Sequence, residues 1–465
     1  MKDKYQLIII GGGAGGVAAA IKANELKIST LIINSILPLG GTCVNVGCVP
    51  SKYMIERSKY IFDIKNPRFD SITISDLNFN FKDIVDSQIK FVESMREEKY
   101  EKVLSSLENV DFLEGKASFV SEKKIIVKDK IIEGGKFIIA VGSTANIPQI
   151  PGIEEIDYIT HIEALHMKDV PEDLIVIGSG AVALEFAQMY SHLGSNVTMI
   201  VRGDKLFKET EPEISEYIEK YFIEEGIKIL KNTNVLKFEK TNNHKGIAYT
   251  ERNKIIFDKV LFAIGKTPNT ANLNLEKAKV VYNNNLSIKV DKFLATSNPD
   301  IYAVGDVNDL PKRLETTAGR EGTIAVLNSF EKKNAFIDYN LVPYGIFTHP
   351  SIAGVGILDK DVSSLSSECL CLTLDFDKVP KAKIINDTRG FIKMIINKEN
   401  EEILGIHLIS HDAVDIIHEA SLVVKNKMKV SDLSQMIHIF PTLSEVFKLV
   451  SQSYQLDLSN ISCCI

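Results

Sequence analysis

The segment GGTCVNVGCVPSK, residues 40–52, places Cys43 and Cys48 with four residues between them and Lys52 one turn further on. On a helical segment, thiols at that spacing can approach one another and cycle between dithiol and disulfide. A Cys-x-x-Cys pair would suggest thioredoxin-like chemistry or half a zinc site. The wider spacing beside a GGTC turn does not, and no further Cys or His follows at the spacing a structural zinc needs. The plainer alternative is a pair of buried spectator thiols. The other four cysteines fall in two places: Cys369 and Cys371 alternate, so that in a strand both point to one side, and Cys463 and Cys464 are almost the last residues. Six cysteines in 465 residues do not make a disulfide framework. Adjacent cysteines close only a strained ring, so the terminal pair is expected as free thiols.

Two repeated units could position and supply such a pair. Residues 5–10, YQLIII, run straight into GGGAGGVAAAI, which reads as strand, tight turn and helix start of a dinucleotide-binding unit. Gly11 allows the turn, Gly13 lets the backbone approach a pyrophosphate, Gly16 lets helix and strand pack closely, and helix N-terminal amides face the phosphates. The next strand, STLIIN, ends in Asn34, where an acidic residue usually takes the ribose hydroxyls; Asn can still hydrogen-bond, without the charge. LIVIGSGAVALEFA, residues 174–187, repeats the grammar with Gly178, Gly180 and Ala183. Its following strand ends in Val201, then Arg202, with Lys205 close behind. An apolar residue with cationic neighbours suits the 2′-phosphate of NADPH, whereas an acidic one would repel it. A solvated surface arginine is the alternative.

Two dinucleotide sites in one chain imply electron traffic between two cofactors, read here as FAD in the first unit and NADPH in the second. Lys52 then sets a positive charge where a reduced flavin is negative. Glu185, on the second unit's helix, is its expected ion-pair partner; a helix-surface charge is the plainer reading.

The length allows about three domains of ~150 residues. With 54 Lys plus Arg against 61 Asp plus Glu the formal charge is -7, and no basic stripe or tail invites nucleic acid. The apolar stretch at residues 5–21 is broken by five glycines and has neither a basic signal region nor the length of a span, so a cytoplasmic protein without a membrane span is expected. A helix is predicted from about Asn80 to Asn109, with Ile89, Val92, Met95, Lys99 and Val103 on one face, the lysine stem lying over the stripe and Tyr100 one step off it. FIIAVGS at 137–143, LFAIGKTPNT at 261–270 and NPDIYAVGDVNDL at 298–310 read as further strands, the last bringing Asp306 to a cofactor's ribityl or phosphate region. These signals predict an α/β fold with two Rossmann-like dinucleotide-binding domains, for FAD and NADPH, plus a C-terminal α+β dimerisation domain. The expected division is 1–148 for the first part of the FAD domain, 149–270 for the NADPH domain, 271–342 for a return segment and 343–465 for an interface domain ending in the dicysteine tail.

Through GGGAGG, GGTCVNVGCVPSK, GSGAVALE, YAVGDV, AGREG, VPYGIFTHP, DTRGFIK and the terminal ISCCI, the chain resembles the flavoprotein disulfide oxidoreductases over residues 5–465. Within them it is most similar to mercuric reductases, on LTLDFDKVPKA at 372–382 and the adjacent terminal cysteines. The resemblance implies that Cys463 and Cys464 receive Hg(II) and pass it to Cys43 and Cys48 of the other subunit of a homodimer. Hg(II) is soft and favours two thiolates, so stepwise ligand exchange needs a second thiol pair on a mobile tail. It also implies that Cys48 faces the flavin while Cys43 makes the outer exchange, and that Tyr100 lies near the metal. Gly41, Thr42, Ala117 and Gly142 are expected to join Gly11, Gly13, Gly16, Asn34, Lys52 and Asp306 around FAD, and Gly265 to join Gly178, Gly180, Ala183, Arg202 and Lys205 around NADPH.

The disulfide reductases carry an HPTxSE phrase whose histidine protonates a leaving thiolate with help from the glutamate. Here the phrase is FPTLSE, with Phe440 in the histidine's place and Glu445 retained. Phe cannot transfer a proton, and reduction of a bound metal needs no such acid. His438 is a structural or interface histidine rather than a substitute on this reading. Phe440 also replaces a second tyrosine of mercuric reductases, His349 their acidic residue after FT, and Lys266 the arginine of their GRxPN phrase. The expected activity is NADPH-dependent reduction of Hg(II), carried by small thiols, to Hg(0). The alternatives are an NADPH-dependent disulfide reductase of thioredoxin or lipoamide type, with the terminal cysteines as electron shuttle, and a non-catalytic thiol scaffold that sequesters metal.

Overall fold

The structure, a computed structural model, describes residues 2–241, 245–364 and 368–456. From Leu7 onward strand β1 (Lys4–Ile10) is apolar on both faces and buried, as a central strand of a covered parallel sheet must be. It pairs in parallel with β2 (Thr30–Asn34) on one side and with Lys130–Ile139 on the other. Helix α1 (Ala14–Glu25) follows the glycine turn. The first half of Lys130–Ile139 carries an antiparallel ribbon, Ser118–Ser121 with Lys124–Val127; its second half is flanked by Ile301–Ala303 in parallel. The sheet therefore gains a strand from more than a hundred residues downstream.

Between those segments lies a second parallel sheet, ordered Lys228–Leu230, Asn196–Ile200, Asp173–Ile177, Lys259–Phe262 and Tyr158–Ile159. The helix Ala181–Leu193 leaves its glycine turn as α1 leaves the first. A two-stranded ribbon, Ser143–Ala145 against Lys266–Pro268, ties the two units at their entry and exit. Beyond Val342 comes an antiparallel sheet of Tyr344–Ile346, Ser351–Gly356, Ile403–Ser410, Phe391–Asn397 and Cys369–Asp375, packed by the helices Ala413–Lys425 and Glu445–Gln452. The architecture is thus α/β, two Rossmann-like units followed by an α+β domain. Among the described residues no helix is long and apolar enough to cross a membrane.

The region of the dithiol is built by α2 (Gly41–Val46) and α3 (Cys48–Lys65), broken between them at Gly47, and by α4 (Phe81–Arg96), whose first turn is capped by the Asn80 side chain. The single helix predicted over 80–109 is corrected here: α4 passes into a π-turn, Glu97–Glu101, before a last α-turn, Lys102–Ser105. The extra residue in that turn rotates the chain beyond it about the helix axis. Lys99 is solvent-exposed and pairs with Glu98 at 2.6 Å instead of covering the apolar stripe, and Tyr100 is the residue that turns inward.

Candidate active site

The first glycine turn, the dithiol and the helix that follows the second glycine turn open onto one cleft of roughly 1000 Å³ of empty space, its open mouth included. The isolated bridge between Gly13 and Gly40 brings the first dinucleotide turn against the GGTC turn, and a Cβ on Gly41 would lie 2.8 Å from the Gly13 Cα. Gly13, Thr42, Cys43, Cys48, Lys52 and Asp306 all line the cleft.

Two glycines, Gly13 in the cleft and Gly180 at the second unit's turn, leave room for a ligand rather than protein. Gly180 has an extended backbone, φ -84°, and a Cβ there would meet no protein atom within 4 Å; a Cβ on Gly13 would meet only the Gly41 Cα, at 3.8 Å. Neither turn strain nor packing requires glycine at these positions, so the space is kept for something that approaches the backbone, as a pyrophosphate does. Gly11 and Gly178 are different. Their φ values are +120° and +138°, and a Cβ would lie 2.2 Å from the Ala140 carbonyl oxygen and 2.3 Å from that of Ala263. The two units' glycine turns are built alike.

Cys43 and Cys48 are free thiols, one half-buried, the other exposed to the cleft. The Cys43 thiol hydrogen-bonds to Cys48. That bond, together with the Lys52 ammonium, holds Cys48 below the usual thiol range against the opposing effect of burial. The same bond and burial push Cys43 up. The pair thus separates into a thiolate-favouring sulfur, Cys48, and a proton-holding one, Cys43. Lys52 Nζ donates to both carboxylate oxygens of Glu185, at 3.0 and 2.8 Å, and lies 4.6 Å from the Phe347 ring centroid. Glu185 also accepts the Phe347 backbone N–H at 3.0 Å, so one buried carboxylate joins α3, the second unit's helix and the C-terminal domain. The Tyr100 phenol stands over Gly40, pushed up to about 12 by burial and then by the charges of Glu315 and the two thiols.

Asp306 accepts the Ser143 hydroxyl at 2.7 Å, and Gly142 and Lys266 line the cleft beside it. Asn34 stands at the end of β2 as expected, but its amide holds the local loop: Oδ1 accepts the Gly12 N–H at 3.1 Å and Nδ2 donates to the Leu37 carbonyl at 2.8 Å. Gly16 and Ala183 sit in the first turns of α1 and of the helix Ala181–Leu193, and Gly265 has φ +104° next to Asn146. Ala117 is buried in the core beside Phe119 and does not line the cleft. Arg202 is exposed just past the strand Asn196–Ile200, and Lys205 pairs with Glu216 at 3.5 Å.

In the C-terminal domain Glu445 accepts the Thr442 N–H at 3.2 Å, and Phe440 is half-exposed. His438 Nε2 donates to Glu419 Oε1, 2.8 Å away. His349 is buried among Asp63, Arg389 and the ring of His411. Cys369 and Cys371 lie in the strand Cys369–Asp375, where Cys371 hydrogen-bonds to Asp359. Cys463 and Cys464 fall outside the described residues. Sequence reasoning missed Glu315, which enters the cleft from the first turn of the helix Glu315–Val326, and Phe347, whose contribution is a backbone N–H that no side-chain pattern signals.

Residues 5–322 match the pyridine nucleotide-disulphide oxidoreductase family and residues 342–450 its dimerisation domain. The chain is 35% identical to a mercuric reductase of Lysinibacillus sphaericus over 466 residues, covering 100% of this chain and 85% of that one. It is 36% identical to one of Staphylococcus aureus, covering 99% and 84%, and 32% identical to one of Streptomyces lividans, covering 99% and 98%. Among solved structures it is similar to the HOCl-induced flavoprotein disulfide reductase RclA of Escherichia coli in a Cu(II) complex, with TM-score 0.86 and 26% identity over 95% of this chain and 98% of that one. With its paired glycine turns, its dithiol and its C-terminal sheet, the chain belongs to the pyridine nucleotide-disulphide oxidoreductase family, whose members work with FAD and a pyridine nucleotide.

Proposed function

We propose that this protein uses NADPH to reduce thiol-bound Hg(II) to Hg(0). The observation that favours a metal over an organic disulfide is Phe440: a side chain that cannot carry a proton stands where the disulfide reductases keep their acid. Thiol exchange on a soft cation proceeds without that acid. The identity to curated mercuric reductases supports the same reading.

The residues expected at the site divide this chemistry among them. FAD, bound across the Gly11 to Gly16 turn, supplies the two-electron relay between nicotinamide and sulfur. Arg202 and Lys205 receive the 2′-phosphate of NADPH. Lys52 steadies negative charge at the inner thiolate, and Glu185 fixes Lys52 in place. Cys43 takes the metal from an incoming thiol complex, and Cys48 completes a two-sulfur site. Tyr100 packs over that site, and Glu445 holds the segment that carries Phe440. Cys463 and Cys464 deliver the metal to the partner subunit, so the competent unit is a C2 homodimer. Two electrons convert the bound ion to Hg(0), which has little affinity for thiolate and departs.

A second reading, turnover of Cu(II) or of a disulfide, is favoured by the likeness to the Cu(II)-bound disulfide reductase. One assay separates them. NADPH oxidation by the purified FAD-loaded protein is followed with Hg(II) in excess small thiol, beside Cu(II), glutathione disulfide and lipoamide, while mercury vapour is trapped. The proposal expects Hg-dependent oxidation with vapour, lost on Cys43→Ala and sharply reduced in Cys463→Ala/Cys464→Ala. Faster turnover of a disulfide or of Cu(II) with no vapour overturns it.

A further inference from the structure

We propose that His161, a side chain of the second unit, is a ligand of FAD in the first unit's cleft, hydrogen-bonded to the ribityl and isoalloxazine half of the cofactor. The inference rests on the family's use of FAD and is independent of whether Hg(II) is the substrate. His161 follows the strand Tyr158–Ile159 at the edge of the second sheet and opens a short helical turn, His161–Ala164. Its backbone is fixed from both sides. Ile159 is in register with Leu261, and in the turn Thr160 accepts the Ile162 N–H at 3.2 Å while the Thr160 N–H donates to Glu163 at 2.8 Å. That framework sets the imidazole in the wall of the cleft that also holds Ser143, Glu185 and Lys266.

The imidazole has no partner among the described residues. His161 is 8% exposed, Nε2 is enclosed without a hydrogen bond, and neither ring nitrogen bonds a described residue. Burial, and then the Lys266 charge, hold the ring down at about 4, so at neutral pH it is uncharged, with one N–H and one lone pair to place. Leaving such a group unbonded in a buried position costs stability. The polar groups around it are taken. Ser143 donates to Asp306, Glu185 is bound by Lys52 and by the Phe347 N–H, and Glu163 holds Thr160. The partner this ring lacks is therefore a ligand.

The lining of the cleft identifies that ligand. Gly13, Ala14 and Gly15 of the first dinucleotide turn belong to it and Gly178 and Gly180 of the second do not, so its occupant is the first unit's cofactor. A pyrophosphate at the Gly13 turn leaves the ribityl chain and the isoalloxazine ring to run toward Cys48 and Lys52. His161 stands on that side, sharing its wall with Val182, Glu185 and Phe186 of the helix Ala181–Leu193. Carbonyl oxygens, ring nitrogens and hydroxyls of this half offer both acceptors and donors, and a neutral imidazole matches either. The bond ties the second unit to the cofactor of the first.

The test dilutes the full-length holoprotein of wild type, His161→Leu and His161→Gln and reads FAD release from the return of flavin fluorescence; each chain stripped of FAD is melted in parallel. Leu keeps the bulk without a polar atom, and Gln keeps a donor and an acceptor. His161→Leu should release FAD about tenfold faster or more, the scale of one hydrogen bond left unmade, with His161→Gln between the two. The stripped His161→Leu chain should melt no lower than wild type, because it no longer encloses an unbonded nitrogen. Equal release from wild type and His161→Leu overturns the proposal. So does a His161→Leu chain that fails to fold, or an equal loss of FAD from both variants with a lower melting temperature in each, since these mark a packing role. Weakened NADP⁺ binding with FAD release unchanged also overturns it, by assigning the ring to the second unit's nucleotide. A wild-type chain that holds no FAD is a separate result: it sinks the cofactor assignment and the proposal with it.

Discussion

Glu185 is 6% exposed and accepts three hydrogen bonds, two from Lys52 and one from the Phe347 backbone. Replacing Lys52 with Met leaves a buried carboxylate held by a single N–H, and removing one partner of a buried pair costs about 3 to 5 kcal/mol. Lys52→Met should therefore lower unfolding free energy by that order in denaturant titration. It should also shift the pH at which Cys48 becomes alkylatable upward, since the ammonium that favours its thiolate is gone. A second buried carboxylate carries a pH dependence. Burial alone would raise Asp387, but the bonds from His411 and Arg389 more than offset it and hold it well below the carboxylate range. Its folded value lies below the unfolded value of about 3.9, so its contribution is complete above about pH 4 and is lost as pH falls toward the folded value. Asp387→Asn should cost about 3 kcal/mol at pH 7, with the gap to wild type closing below about pH 4 in thermal unfolding. The Lys52 to Glu185 pair was legible because each sits at a fixed offset from a recognisable turn. Glu315 was not, since LETTAGREG has no spacing that separates a cleft carboxylate from a helix-surface one.

Glycines of the same type have different work within one turn. Gly178 is required by its φ of +138° and by the Ala263 carbonyl, whereas Gly180 has neither constraint. Gly180→Ala should leave the melting temperature nearly unchanged, within about 1 kcal/mol for an exchanged N-cap, and weaken NADP⁺ binding in a fluorescence titration. Gly178→Ala should lower folding stability itself. The strands and turns of both units could be read directly, because apolar runs ending in spaced glycines leave few alternatives. The π-turn at Glu97–Glu101 could not: an apolar stripe at helical spacing continues smoothly on paper, and one inserted residue exchanges Lys99 for Tyr100 on the inward face. The interface sheet was visible only as alternation, which leaves strand order open; the order with Ile403–Ser410 between Ser351–Gly356 and Phe391–Asn397 depends on contacts far apart in the chain.

At the scale of the molecule, Ile437 and Ile439 are 95% and 80% exposed on the domain that matches the family's dimerisation domain, with Phe440 beside them. Such a patch asks for cover. Ile437→Asp/Ile439→Asp should yield monomers by sedimentation and lose metal turnover while still accepting hydride from NADPH. If the tail serves the other subunit, mixing Cys43→Ser/Cys48→Ser chains with Cys463→Ser/Cys464→Ser chains should restore activity that neither has alone; a tail acting within its own chain would restore none. The late strand Ile301–Ala303, which completes the first sheet beside Lys130–Ile139, has a further meaning for how the protein is made. A ribosome delivers Gly11 early and Ile301 late, so the nascent first unit waits, one side of a strand unpaired, until the whole second unit has emerged. Chains released at residue 280 should expose that apolar edge, retain no flavin and be cleared by proteases, and the second unit can acquire its nucleotide before the first is able to hold its own.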